Sequence, residues 1–239
     1  CDYSLAAGTM LFDTRQERWS REVLAMCDLP AAKLPELARA GAPLGVVAPH
    51  VARELGLSPN VRIVLGGHDV ACSALGAGVV SSGMAVYIIG NAITLAPAFN
   101  AIVLSSLMLQ HGLSMAHHVA PELFLSLIHN QSGGDVLRWF SDRLAPLEKR
   151  EALARNASVY AALLAEMPDE PTDLMVLPHF AAVGPPVSDD RSSGVVAGLR
   201  LETTRGELIK ALLEGVTYYF ANGHQVLGQI GIPVQRYRA

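Results

Sequence analysis

Cysteine is scarce: Cys1, Cys27 and Cys72 are the only three in 239 residues. Three scattered thiols build no disulfide framework, so a reducing, cytoplasmic setting is expected. There is no block of basic residues and the formal net charge is −4, which argues against nucleic acid as a partner. Neither HExxH nor CxxC spacing occurs. Histidines are present at His111, His117, His118 and His129, but adjacent ones point apart in a regular element, so no protein-held metal is expected. No GxGxxG follows a strand with a ribose-binding acid beyond it, which removes the dinucleotide fingerprint. No signal peptide opens the chain, which starts at Cys1 and stops at Ala239 directly after RYR; an internal piece of a longer protein is expected.

The most unusual absence is local. From Val70 to Pro121 there is no Asp, Glu, Lys or Arg. A membrane helix needs about 20 mainly apolar residues, but Ser81, Ser82, Gly83, Gly90, Asn91, Pro97 and Asn100 interrupt the run. The remaining apolar pieces have the length of strands, and strands buried on both faces read as continuous apolar runs. Buried sheet is expected, not a membrane span. Hydrophobic residues at 51% against 17% charged ones fit a globular chain with a generous core.

What is present reads as alternating helices and strands, an α/β class. Helix is expected over Val47–Leu57, strand over Val61–Leu65, helix over Val70–Gly78 and strand over Met84–Ile89. A helix opening on Gly133-Gly134 runs to Leu144, and a longer, partly charged helix is expected over Leu147–Met167. A short strand covers Leu174–Leu177. Pro178–Ser193 is a loop rich in Pro, Gly, Ser and Asp, in which Asp189, Asp190 and Arg191 are expected to form ordering ion pairs. The last helix is announced by Thr204 and Glu207 at capping-box spacing and by a stripe of Leu208, Ala211, Leu212 and Gly215. Glu214 is expected to pair with the Pro/Gly loop, and Tyr218, Tyr219 and Phe220 to be core aromatics.

The stretch VRIVLGGHDVACSALGAG, Val61–Gly78, carries the chemistry. Strand, glycine pair, acid and helix is how α/β proteins present one carboxylate at the carboxyl end of a sheet. Asp69 there can take a proton from a substrate hydroxyl, or simply cap the helix that follows. His68 beside it can hydrogen-bond a ligand, which the family resemblance below would make a sugar hydroxyl, or serve structure alone.

In this order the pieces resemble the FGGY family of carbohydrate kinases. Asp2–Asp13 with Trp19 resembles a segment late in the family's first domain, and Gly66–Gly78 the segment that holds its catalytic aspartate. Gly194–Leu199 followed by Glu207–Gly215 is similar to its second-domain signature. The resemblance implies an actin-like, ribonuclease-H-like α/β fold with parts of two domains. Residues 1–82 would be the carboxyl-terminal part of the first, sugar-binding domain, and 83–239 the start of the second, ATP-binding one. It implies ATP and Mg²⁺ as cofactors, a sugar or polyol as substrate with xylulose-type ketoses leading, and Asp69 as general base. It leaves a homodimer open.

Further roles come from the same resemblance. Gly90 and Asn91 would line the β and γ phosphates, although Asn91 stands where the family usually has Thr. Gly134 and Arg138 would lie near the nucleotide, the helix start offering free N–H groups to anions. The family's amino-terminal phosphate loop and its later adenosine loop are not in this sequence, so the chain alone is not expected to turn over. The alternative is a non-catalytic relative that binds sugar or nucleotide on the same fold, for which Asn91 speaks.

Overall fold

The computed structural model describes all 239 residues. The first part of the chain is built from short elements: α1 (Tyr3–Ala7), a hairpin of β1 (Phe12–Asp13) and β2 (Arg18–Trp19), α2 (Arg21–Met26), β3 (Pro43–Val46), α3 (Pro49–Glu54), β4 (Arg62–Val64) and α4 (Asp69–Gly76). β3 and β4 pair antiparallel as a separate two-stranded ribbon. Every residue of both strands is exposed, Val46 and Val64 included. The strand expected over Val61–Leu65 therefore exists but does not end a buried sheet: it has a single partner strand, and no layer covers either face.

The second part opens with β5 (Met84–Ile89) and β6 (Ile93–Phe99), then α5 (Ser106–Gln110), β7 (Ala116–His117), β8 (Phe124–Leu125) and β9 (Ile128–Asn130). Three helices follow: α6 (Asp135–Arg143), α7 (Pro146–Ala154) and α8 (Val159–Leu164). A two-stranded pair of β10 (Met175–Leu177) and β11 (Val195–Ala197), the long α9 (Arg205–Gln229) and β12 (Arg236–Arg238) complete the chain. The main sheet runs β12-β5-β6-β8-β7, with β9 also on β6. β12 lies parallel to β5 and the other pairings are antiparallel.

This sheet explains the middle of the uncharged stretch, Met84–Phe99. Alternate residues of a strand face opposite sides. Ala85, Ile93, Leu95 and Phe99 cluster with Tyr219, Phe220 and Leu227 of α9. Met84, Val86, Ala96 and Ala98 cluster with Ala71 and Ala74 of α4. Both faces are covered, so neither can carry a charge, as expected for buried sheet. The alanines facing α4 are small, which lets that helix approach the sheet closely. No helix is long and apolar enough to cross a membrane.

α9 begins with the capping box its sequence announces. The Thr204 hydroxyl accepts from the Glu207 N–H (3.2 Å), and the Glu207 carboxylate accepts from the Thr204 N–H (2.7 Å). Such a cap contributes roughly 1 kcal/mol. Its first half joins Ile209 and Leu212 to a third cluster with Val136, Phe140, Leu163 and Val176. The guanidinium of Arg205 holds both Glu148 and Glu166, bringing α7 and the end of α8 against the start of α9.

The single helix expected over Leu147–Met167 is two. Asn156 adopts a left-handed φ of 52°, which ends α7, and Ser158 stands at the N-cap of α8. Tyr219 and Phe220 are core residues, but Tyr218 lies on the opposite face and is 63% exposed. Glu214 reaches Thr172, accepting from its N–H and its hydroxyl (2.8 Å), rather than the Pro/Gly loop. Asp189 orders that loop by accepting the backbone N–H of Arg191 (2.8 Å), not by an ion pair with its guanidinium.

Candidate functional site

The sequence-predicted residues fall into two groups. The first lies where α4 begins. His68, not Asp69, is the N-cap: its Nδ1 accepts the Val70 N–H at 3.2 Å. Asp69 is the first helical residue, and its side chain is 91% exposed, so the carboxylate is available to a ligand. Its Oδ1 lies 3.1 Å from His68 Nδ1 and 2.8 Å from the Val70 nitrogen. A carboxylate in a first helical turn also sits favourably at the positive end of the helix dipole.

The glycine bend before it is held from beneath. A Cβ at Gly67 would overlap Val119 Cγ1 and stand 3.2 Å from Ser4 Oγ. The Ser4 hydroxyl accepts the His68 N–H at 2.8 Å and donates to Asp2 Oδ2 at 2.5 Å. Beside this bend His68 and Ser4 line a cavity of about 260 Å³ together with Met10, Met115, His117 and Leu127. Asp69 is not among its lining residues: it faces solvent beside this cavity.

The second group gathers around the end of β5. Gly90 and Asn91 are exposed, and Gly134 packs directly onto them. A Cβ at Gly134 would overlap the Gly90 carbonyl oxygen and come 3.0 Å from its carbon. The Asp135 N–H donates to the Asn91 carbonyl at 3.0 Å. Arg138 pairs with Asp135 at 2.9 Å, one turn apart, and is half exposed. The free helix-start amides expected here are largely taken: Asp135, Val136 and Leu137 donate to Asn91, Ser132 and Gly134. What remains is bare glycine backbone, the Asn91 side chain and Arg138.

Next to this turn a cavity of about 380 Å³ is lined by Gln131, Ser132, Asp135, Arg138, Trp139 and Phe180, among others. Trp139 and Phe180 lie 5.4 Å apart at 31°, which fixes the Pro/Gly loop against α6. That loop is anchored twice more. The Tyr219 hydroxyl sits 2.7 Å from the carbonyl oxygens of both Gly184 and Pro185. Asn130 Nδ2 donates to the Pro178 carbonyl at 3.1 Å. Burial raises the Tyr219 phenol well above its ordinary value of 10.0, so it stays a donor at any physiological pH.

Sequence reasoning missed Asp2, Ser4, Ser132 and Phe180. Asp2 was legible as a helix-start residue, since Asp-x-Ser before a short apolar run is cap chemistry. Nothing in the sequence signals that Ser4 reaches His68.

Burial pushes the imidazoles of His117, His118, His129 and His179 below their ordinary 6.5. The folded chain thus keeps them neutral where the unfolded chain would take up protons. Their contribution to stability is complete above about 6.5 and is lost as pH falls through that value and then through the lowered folded values. Urea unfolding at pH 7.5 and 5.5 should show a lower midpoint at pH 5.5. The depressed carboxylates of Asp142, Glu148 and Glu207 start from 3.8 to 4.5 and titrate below this window. An equal midpoint at both pH values would contradict the neutral-histidine assignment.

The candidate polar side chains thus gather at two places: the glycine bend between β4 and α4, and the β5–β6 turn against which α6 starts. Residues 1–76 match the N-terminal domain of the FGGY family of carbohydrate kinases, and residues 101–237 match its C-terminal domain. The chain belongs to that family. It is 31% identical over 237 residues to a xylulose kinase of Escherichia coli (strain K12), covering 98% of this chain and 46% of that protein. To a xylulose kinase of Bacillus subtilis (strain 168) it is 25% identical, covering 96% and 44%. The crystal structure of xylulose kinase from Rhodospirillum rubrum superposes with a TM-score of 0.80 at 29% identity, covering 98% of this chain and 46% of that one. The chain thus spans somewhat less than half the length of these relatives. The fold is the actin-like, ribonuclease-H-like α/β fold, with parts of two domains.

Proposed function

We propose that the complete protein is an ATP-dependent kinase that transfers the γ-phosphoryl group of ATP to a hydroxyl of a sugar or polyol. Asp69 is its general base. The observation that carries this reading is the Asp69 carboxylate, open to solvent at a tightly packed glycine bend. The carboxylate takes the hydroxyl proton, and the freed oxygen attacks the γ-phosphorus in line. The bond from phosphorus to the bridging oxygen breaks and ADP leaves. His68 Nδ1 is occupied by the Val70 N–H, which leaves Nε2 as the atom that meets a sugar hydroxyl.

Residues 1–82 would supply the sugar side and residues 83–239 the nucleotide side. Gly90 and Gly134 fit a polyphosphate because neither carries a side chain to hold it off. Asn91 offers an amide donor, and Arg138 a cation once it turns from Asp135. Magnesium would reach the site on the ATP phosphates, held mostly through water, and offset their charge. The unpaired cysteines suit a cytoplasmic enzyme.

The substrate class follows from the relatives: the two bacterial proteins above are xylulose kinases, so a five-carbon ketose is the leading substrate. The test is ADP release by the complete protein across ketoses, aldoses and polyols, with xylulose expected to give the highest kcat/KM. Asn91 favours a second reading, a relative that binds without turning over. Saturable nucleotide or sugar binding with no ADP produced from any acceptor would decide for that reading and against the kinase.

A further inference from the structure

Asp2 is a carboxylate that phosphoryl transfer does not use, and it is 1% exposed. It accepts three hydrogen bonds from its own short helix: from the Ser4 N–H at 2.7 Å, the Ser4 hydroxyl at 2.5 Å and the Leu5 N–H at 3.2 Å. Capping α1 requires only the two backbone bonds. The third has a separate consequence. It commits the Ser4 hydroxyl hydrogen to Asp2, so the oxygen's lone pairs point elsewhere. One of them accepts the His68 N–H at 2.8 Å, across 64 residues of chain.

His68 caps α4, and Asp69 is the next residue. The bond therefore grips the backbone one residue before the carboxylate. The grip has no slack: a Cβ on Gly67 would stand 3.2 Å from Ser4 Oγ and 3.4 Å from Asp2 Oδ2. α4 is meanwhile fixed by Ala71 and Ala74 in the cluster under the sheet. The helix is thus held against the sheet by one set of contacts and the residue before Asp69 by another, and the second sets where the backbone carrying Asp69, together with the His68 ring beside its carboxylate, enters the helix.

We propose that Ser4 is a positioning residue for Asp69, with Asp2 orienting the Ser4 hydroxyl so that it accepts the His68 N–H. This rests on the reading of Asp69 as general base. Displacement of a reacting group by about 1 Å costs on the order of 10²-fold in rate, so a loosened bend lowers kcat. Substrate affinity, set mostly by other contacts, changes little.

In the complete protein Ser4→Ala is expected to lower kcat about 10-fold or more while KM for sugar and ATP stays within about 2-fold. Ser4→Thr keeps the hydroxyl, and its extra methyl can enter the cavity that Ser4 lines; it should restore most of the rate. In the complete protein, hydrogen exchange of the His68 amide should speed up several-fold in Ser4→Ala and not in Ser4→Thr, as loss of one hydrogen bond requires. An unchanged kcat in Ser4→Ala, or a His68 amide that exchanges as before, overturns the proposal. So does a variant whose KM and kcat worsen together with no rescue by Thr, since that is a general loss of structure. Asp69→Asn is measured alongside. Turnover retained there removes the general base and with it the group to be positioned. Turnover lost there, with Ser4→Ala unimpaired, removes the positioning role alone.

Discussion

Replacing Asp69 by Asn in the complete protein is expected to reduce kcat by roughly 10²–10⁴-fold, the usual contribution of a positioned general base. Sugar binding should survive. The amide is nearly the size of the carboxylate, and the residue contributes nothing to the core: its side chain is 91% exposed. The cap of α4 should survive as well: the Val70 N–H is shared between His68 Nδ1 (3.2 Å) and Asp69 Oδ1 (2.8 Å), and the amide oxygen of Asn keeps the second acceptor in place. The variant thus separates chemistry from folding. Isothermal titration with the sugar, unfolding by urea and a coupled ADP assay would be read together. Near-normal turnover would remove Asp69 from the mechanism, whereas a collapse of stability would reassign it to structure.

Gly134→Ala should have the second largest effect, by a different route. The backbone at Gly134 has φ −74°, which any residue adopts, so conformational strain is not the issue. Space is: the new methyl would overlap the Gly90 carbonyl oxygen and lie 3.5 Å from Asn91 Cα. Either the turn after β5 or the start of α6 must move. Overpacking of this kind costs typically about 1–3 kcal/mol. Because the two parts that separate are those proposed to flank the phosphates, ATP affinity should fall by about 10-fold or more alongside stability, an order-of-magnitude expectation for misplaced backbone contacts. Gly76→Ala is the control. It sits in α4 with nothing within 4 Å of its new methyl, and Ala favours a helix over Gly by up to about 1 kcal/mol. Unaltered nucleotide affinity in Gly134→Ala would place the phosphates elsewhere.

Much of the architecture could be read from residue patterns. The strand at Met84–Ile89 is bounded as expected because Gly83 and Gly90 punctuate a β-branched run. The capping box of α9 is local chemistry between Thr204 and Glu207, and it forms as its spacing predicts. The uncharged stretch correctly signalled a sheet covered on both sides. Failures occurred where a decision belongs to one backbone angle or to distant chain. Apolar spacing continues across Asn156, so the break between α7 and α8 is set by a left-handed residue that periodicity does not register. Tyr218 and Tyr219 are adjacent and chemically alike; which faces inward depends on the phase of a 25-residue helix. Of the candidate site, Asp69, Gly90 and Gly134 could be singled out one by one, but not the packing of Gly134 onto Gly90. The supports, Ser4 beneath the first and Phe180 beside the packed pair, come from tertiary approach and leave no local pattern.

α9 draws Ile209 and Leu212 into one apolar cluster and Phe220 and Leu227 into another. A single continuous rod thus forms a wall of two rooms. Neither room can be emptied without unwinding turns that the other leans on, so local opening of one is coupled to opening of its neighbour. The start of α6, which packs onto the turn after β5, borders the first room through Val136, and the main sheet borders the second. A disturbance at either should therefore register along the whole length of this part of the molecule.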